Sequence, residues 1–209
     1  EDWVGDPACF SEKLLPVPKA AMPFVPSVQS STYRPALRDR PDTIRIAIAA
    51  TTMKLNPDFV ETLARIRREA GKPVEFHFFM GVARGLVYLE ARDLLCRYLP
   101  DAAIHPIMPY AEYMARIEAC DLYLNPFPFG NTNGIVDVTA LGLVGVCKTG
   151  SEVLEHIDEA LFTRIGLPDW LIAKSKDDDG QAAKRLITDD ALRISLRREL
   201  LKSDGVKML

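Results

Sequence analysis

From Thr43 onward, short apolar runs alternate with longer amphipathic stretches, and this alternation leaves few folds open. Ile44 to Ala50 reads as a strand. Pro57 to Ala70 reads as a helix, with Asn56 as N-cap and Pro57 in the first turn. Val74 to Met80, rich in β-branched and aromatic residues, is a second strand, and Gly85 to Tyr98 a second helix. Further strands are expected at Ala102 to Ile104, Asp121 to Leu124 and Val144 to Cys147, with helices at Ala111 to Ala119 and after Asn133. From Glu152 the chain is mainly helical, ending in a charged helix around Asp190 to Leu201. Strands alternating with helices at this spacing imply an α/β fold: a parallel sheet with helices on both faces and right-handed crossovers. Ligands of such sheets bind at the carboxyl ends of the strands, near the point where the strand order reverses.

Residues 1–42 read differently. Pro7, Pro16, Pro18, Pro23, Pro26, Pro35 and Pro41 forbid long helices and central strands there. An extended arm is expected, lying on the folded body formed by residues 43–209 or on a neighbour. Its aromatics Trp3, Phe10, Phe24 and Tyr33 have no core of their own. The first residue is Glu1 and no signal-peptide pattern follows it, so the chain is expected to be a piece of something longer. The formal net charge of -3 gives no sign of the basic face of a nucleic-acid binder. No apolar run has the length of a membrane span. Cys9, Cys96, Cys120 and Cys147 are widely spaced, which suits free thiols in a reducing, cytoplasmic setting. With the histidines also scattered, a zinc site is not expected.

Asn125 to Asp137, NPFPFGNTNGIVD, reads as the end of a buried strand, a polar loop with a glycine, and a helix that carries a carboxylate. A helix start offers free N–H groups and partial positive charge, which suit phosphate. Asp137 lies four residues after Asn133, on the same helical face, where it suits a sugar hydroxyl. Together these describe half of a nucleotide-sugar site. An ordinary strand–loop–helix turn with a capping Asn has the same spacing, and the residues alone leave both readings open.

Lys54 follows the first strand and precedes a helix, where its ammonium either reaches a diphosphate at the sheet edge or faces solvent near the helix start. Gly81 and Gly85, after the second strand, permit close backbone approach to a ligand. Neither GxGxxG nor a Walker A motif is present. The stiff loop His105 to Tyr110 can offer apolar contacts to a base, and His105 has either a structural or a catalytic reading. His156, in a helix that Ser151 is expected to cap, either faces the ligand or pairs with a carboxylate. Asp177 to Gly180 reads as a solvated turn before a helix.

The block from Asn125 to Ala173, the stretch ATTMKLNP (Ala50 to Pro57) and the opening EDWVGDPACFSEKLLPVP resemble the bacterial cytoplasmic N-glycosyltransferases that modify high-molecular-weight adhesins. That family is similar to the O-linked N-acetylglucosamine transferases. The resemblance covers nearly the whole chain. It implies a GT-B architecture, two Rossmann-like domains facing a cleft, with this chain as the C-terminal, UDP-sugar-binding half. The N-terminal Rossmann-like domain and the helical acceptor domain would then be missing partners. The implied reaction moves a hexose from a UDP-sugar, chiefly UDP-glucose, to Asn in Asn-X-Ser/Thr sequons of a protein or peptide, with inversion and without a metal or other cofactor.

Lys54 matches the family lysine at the donor diphosphate, and Asn131, Thr132 and Asn133 match its phosphate loop. Asp137 matches the carboxylate at the ribose and Thr51 a threonine lining the same site. Gly81, Ile107 and Met108 fall in the loops bordering the donor. The chain departs from the family at Ile107, where a histidine is expected, and at Val82, where a glutamine is expected; both changes remove polar contacts. No catalytic residue is assigned. The alternatives are a non-catalytic nucleotide-sugar-binding or scaffolding domain, an enzyme acting on Ser/Thr, and, more distantly, a GT-B epimerase.

Overall fold

A computed structural model describes residues 10–13, 15, 35–203, 205 and 209. Most of the proline-rich arm, including Trp3, Phe24 and Tyr33, lies outside the described residues, as does Cys9. The body is built from β1 (Ile44–Ala49), α1 (Pro57–Glu69), β2 (Val74–Phe79), α2 (Gly85–Tyr98), β3 (Ala103–His105), α3 (Tyr110–Glu118) and β4 (Leu122–Leu124). It continues with α4 (Thr132–Ala140), β5 (Gly145–Lys148), α5 (His156–Arg164), β6 (Ile172–Ala173), α6 (Lys176–Thr188) and α7 (Asp190–Lys202).

The strands form one six-stranded sheet in the order β3-β2-β1-β4-β5-β6, and every pairing is parallel. β1 is central, and Ile44, Ile46, Ala47 and Ile48 on it are fully buried, as a strand covered on both faces requires. Right-handed crossovers put α1 and α2 on one face and the helices after β3, β4 and β5 on the other. The contacts agree: α1 touches α2 and α6, while α4 touches α3, α5 and α7. Asn56 caps α1 by accepting from the Phe59 N–H at 3.0 Å, with Pro57 at the first helical position.

The sequence expectations need correction at several ends. β3 runs one residue later, so that His105 closes it. α4 begins at Thr132, so Asn133 sits inside the first turn instead of capping it. Ser151 caps nothing; Glu152 and Glu155 form a capping box around the 3-10 turn Val153–Glu155. Asp177 to Asp179 are the first turn of α6, where the helix dipole favours acidic side chains. Asp179 is not solvated: it is buried.

The amino edge of the sheet is closed by Asp121, just before β4. Its buried carboxylate accepts from Arg38 at 2.9 Å and from the Arg45 N–H at 2.8 Å. Arg197 of α7, also buried, donates to the Gly142 and Cys120 carbonyls at 3.0 and 3.3 Å. Burial lowers its pKa to about 10, against the pull of Asp121.

Candidate functional site

The strand order reverses between β1 and β4, so the loops after these two strands form a crevice at the carboxyl edge. The sequence places a cation in one loop and a helix start in the other. After β1 the chain makes a 3-10 turn, Thr52–Lys54, that ends on Lys54. After β4 it runs through the cis Phe127-Pro128 peptide to Asn131, the N-cap position of α4.

The two loops are tied together. Asn56 donates to the Phe127 carbonyl at 2.5 Å, and the Lys54 ammonium donates to the Gly130 carbonyl. The same ammonium lies 4.7 Å from the centre of the Phe129 ring, within cation–π range. Burial lowers the Lys54 pKa, and the charge of Asp158 opposes this.

Asp158, on α5, is one of the residues that sequence reasoning missed. Its carboxylate is buried and accepts from the Asn131 N–H with both oxygens, at 3.0 and 2.9 Å. The Thr132 backbone also bonds to it. Burial raises its pKa to about 6, against these hydrogen bonds and Lys54. Position 130 must be glycine for this contact, because a methyl group there would overlap the Asp158 carboxylate. The sequence carries a weak signal, a lone acidic residue among the apolar positions of α5, but nothing that aims it at a loop 27 positions earlier.

Asn131 is oriented away from a conventional cap: its side chain makes no capping bond and instead covers Gly134. Thr132 is half-buried and Asn133 exposed. Asp137, in the second turn of α4, accepts from the Tyr110 hydroxyl at 2.7 Å and also bonds Tyr113. Burial raises its pKa and the two tyrosine bonds hold it down. Both tyrosines come from α3, which packs beside α4.

Beside Asp137 lies an apolar recess of about 260 Å³, lined by residues of the loops after β2 and β3: Gly81, Val82, Pro106, Ile107 and Met108, with Tyr110 and Tyr113. Gly81 adopts φ 59°, a left-handed conformation that glycine enters without strain. Thr51 reaches toward this glycine across the strand ends. The structure thus brings Lys54, Asn131 and Thr132 together at the crevice, and gathers Gly81, Ile107 and Met108 with Asp137 next to it. A larger cleft of about 610 Å³ between α1 and the start of α6 includes none of these residues; its walls are charged side chains such as Asp58, Arg65 and Arg68.

The histidines are accounted for by local partners. His105 stacks on Phe79 and His77, with ring centroids 4.6 and 5.3 Å away. Burial, then the neighbouring His77 and Arg116, lower its pKa to about 4, so it is neutral at pH 7. His156 pairs with Glu159 at 3.0 Å. Cys120 and Cys147 are buried free thiols and Cys96 is half-buried. Among the described residues no group of three or more His, Cys, Asp or Glu side chains could hold a metal ion, and no helix is long and apolar enough to cross a membrane.

No protein-family model matches the chain. It is similar to UDP-glucose:protein N-beta-glucosyltransferase of Actinobacillus pleuropneumoniae, 48% identical over all of this chain in both the serotype 7 and the serotype 5b proteins. The chain spans 34% of the length of these relatives. Among solved structures, a Thermobaculum terrenum O-GlcNAc transferase mutant superposes with a TM-score of 0.71 at 14% identity, over 83% of this chain and 34% of that one. The C-terminal domain of a group 1 family glycosyl transferase from Francisella tularensis superposes with a TM-score of 0.52 at 12% identity, over 77% and 83%. The chain therefore has the Rossmann-like fold of one half of a GT-B glycosyltransferase, and it is homologous along its whole length to a portion of the bacterial UDP-glucose:protein N-beta-glucosyltransferases.

Proposed function

We propose that this chain is the donor-binding part of a cytoplasmic protein glucosyltransferase, which moves glucose from UDP-glucose to an asparagine in an Asn-X-Ser/Thr sequon. The observation that carries this reading is the pairing of Lys54 with the loop at the start of α4, at the point where the strand order reverses. In this reading the α4 amides and Lys54 hold the diphosphate, Asp137 holds the ribose, and the apolar recess beside it takes the base. The relationship to enzymes named for UDP-glucose and protein supplies the donor and the acceptor class. A cation and a helix start stabilise a departing diphosphate without a metal. Displacement across a closed cleft, with the acceptor side supplied by further domains, gives inversion.

Calorimetric titration with UDP, UDP-glucose and UDP-N-acetylglucosamine tests the reading. UDP-glucose and UDP are expected to bind, equally well with and without EDTA. Binding that requires magnesium or manganese would overturn the metal-free mechanism. A non-catalytic donor-binding domain is the second reading, favoured by the exposed apolar Val82 and Ile107 at the recess mouth. A full-length relative carrying these two residues separates the two by its turnover on a sequon peptide.

A further inference from the structure

The start of α4 is the strongest place for an anion in the crevice, and the protein has already put one of its own there. Asp158 accepts from the Asn131 N–H with both carboxylate oxygens, and its carboxyl lies against Gly130 so closely that no side chain fits between. Lys54, bonded to the Gly130 carbonyl, is the cation whose charge it feels. The other titratable groups that Asp158 influences are Tyr123 on β4 and Cys147 on β5. Burial drives both of these well above their ordinary pKa values, so they stay neutral. Asp158 and Lys54 are thus the charged pair of the crevice floor.

This matters if the crevice holds a diphosphate, the reading on which the inference rests. A diphosphate drawn to the α4 amides and to Lys54 takes the cation away from Asp158 and sets negative charge beside a buried carboxylate. Like charges at such a distance cannot both remain ionised without cost, and protonation of the carboxylate relieves it. We infer that Asp158 is a positioning residue for the donor diphosphate, and that it takes up a proton from solvent when the diphosphate binds. Protonated, its carboxyl keeps one oxygen on the Asn131 N–H and offers its O–H to a phosphate oxygen. The loop stays fastened to α5 while the competing charge disappears.

The sign of the linkage follows. Free Asp158 titrates at about 6. Binding that protonates it is favoured at low pH and weakens as pH rises above that value. The test is calorimetry of the chain with UDP-glucose, whose diphosphate diester does not itself titrate near neutrality, with uridine as control. Titrations at about pH 7 in buffers of different ionisation heat count the protons exchanged. Uptake of roughly half a proton or more per UDP-glucose is expected, and none with uridine. Affinity for UDP-glucose should fall by up to about tenfold per pH unit, with the break near pH 6. Asp158→Asn should abolish the uptake and flatten the profile, with its melting curve reporting the fold. UDP-glucose binding without proton exchange overturns the inference and leaves donor binding standing. A break well above pH 8 in the parent that uridine does not share, which needs no variant, assigns the proton to Lys54 and also overturns it. Failure of UDP-glucose to bind overturns both readings.

Discussion

At Lys54, burial lowers the affinity of the ammonium for its proton, and Asp158 restores part of it. A cation held this way is poised for an anionic ligand. Charge-assisted hydrogen bonds contribute roughly 1.5–3 kcal/mol. Lys54→Ala should therefore weaken UDP binding by about ten- to a hundredfold and leave uridine binding nearly unchanged. Equal UDP affinity in variant and parent would remove Lys54 from the site. Asp179 makes a different kind of test. It is buried, neither carboxylate oxygen has a hydrogen-bond partner among the described residues, and burial raises its pKa to about 7, against Arg65 and Lys148. The unfolded chain releases this proton near the ordinary value of 3.8, while the folded chain holds it to about 7. Stability therefore falls as pH rises through that window. The upper limit of the effect is about 4 kcal/mol, from 1.36 kcal/mol per pKa unit. Asp179→Asn should lose less stability between about pH 5 and 8 than the parent, as read by melting temperature. The place of Lys54 just past the first strand was legible in the sequence, because an apolar run followed by a helix start fixes where the strand ends. Asp158, Tyr110 and Tyr113 were not, because their partners are brought to them by the packing of α5 and α3 on α4.

The loop before α4 shows how one element depends on another. Its bend presses Gly130 against Asp158, its amides bond that carboxylate, and its carbonyls accept from Lys54 and Asn56. Gly130→Ala forces the carboxylate away from the Asn131 N–H, and overpacking of this kind costs about 1–3 kcal/mol. The variant should melt earlier and bind UDP more weakly, whereas an unchanged melting temperature would show that α5 can shift freely. The glycine-containing loop and the helix after it were readable from NPFPFGNTNG. The start of that helix was misjudged because Asn131 occupies the capping position without using its side chain as a cap. The expected solvated turn at Asp177 failed for a related reason. Acidic residues in sequence suggest water, but a first helical turn with Ser175 as N-cap accepts them equally well.

For the whole molecule, the alternation of strands and helices was enough to give a parallel sheet. It did not give the order of the strands, because that depends on which way each crossover turns. The order matters for function: it sets the β1 and β4 loops side by side, and so joins residues around 54 to residues around 130. The crevice they make has one wall. Holding donor and acceptor in line supplies about 7–11 kcal/mol of a reaction barrier, and on the proposed reading this chain, which spans 34% of its relatives, carries the donor side of such an arrangement. The isolated chain is expected to bind UDP and not to glycosylate a sequon peptide. Turnover comparable with that of a full-length relative would place the acceptor site within these residues.

At the opposite edge, Asp121 accepts from Arg38, which precedes β1, and from the backbone of β1 itself, while Arg197 of the last helix grips the adjoining carbonyls. The segment before β1 and the helix α7 are thus fastened to one spot. Trimming is therefore not a local operation. Cutting after Arg38 removes a cation that satisfies a buried carboxylate, and cutting before α7 leaves the carbonyls of Cys120 and Gly142 without their donor. Either shortened chain would come loose at the same seam, beneath the strand that carries Lys54 into the crevice.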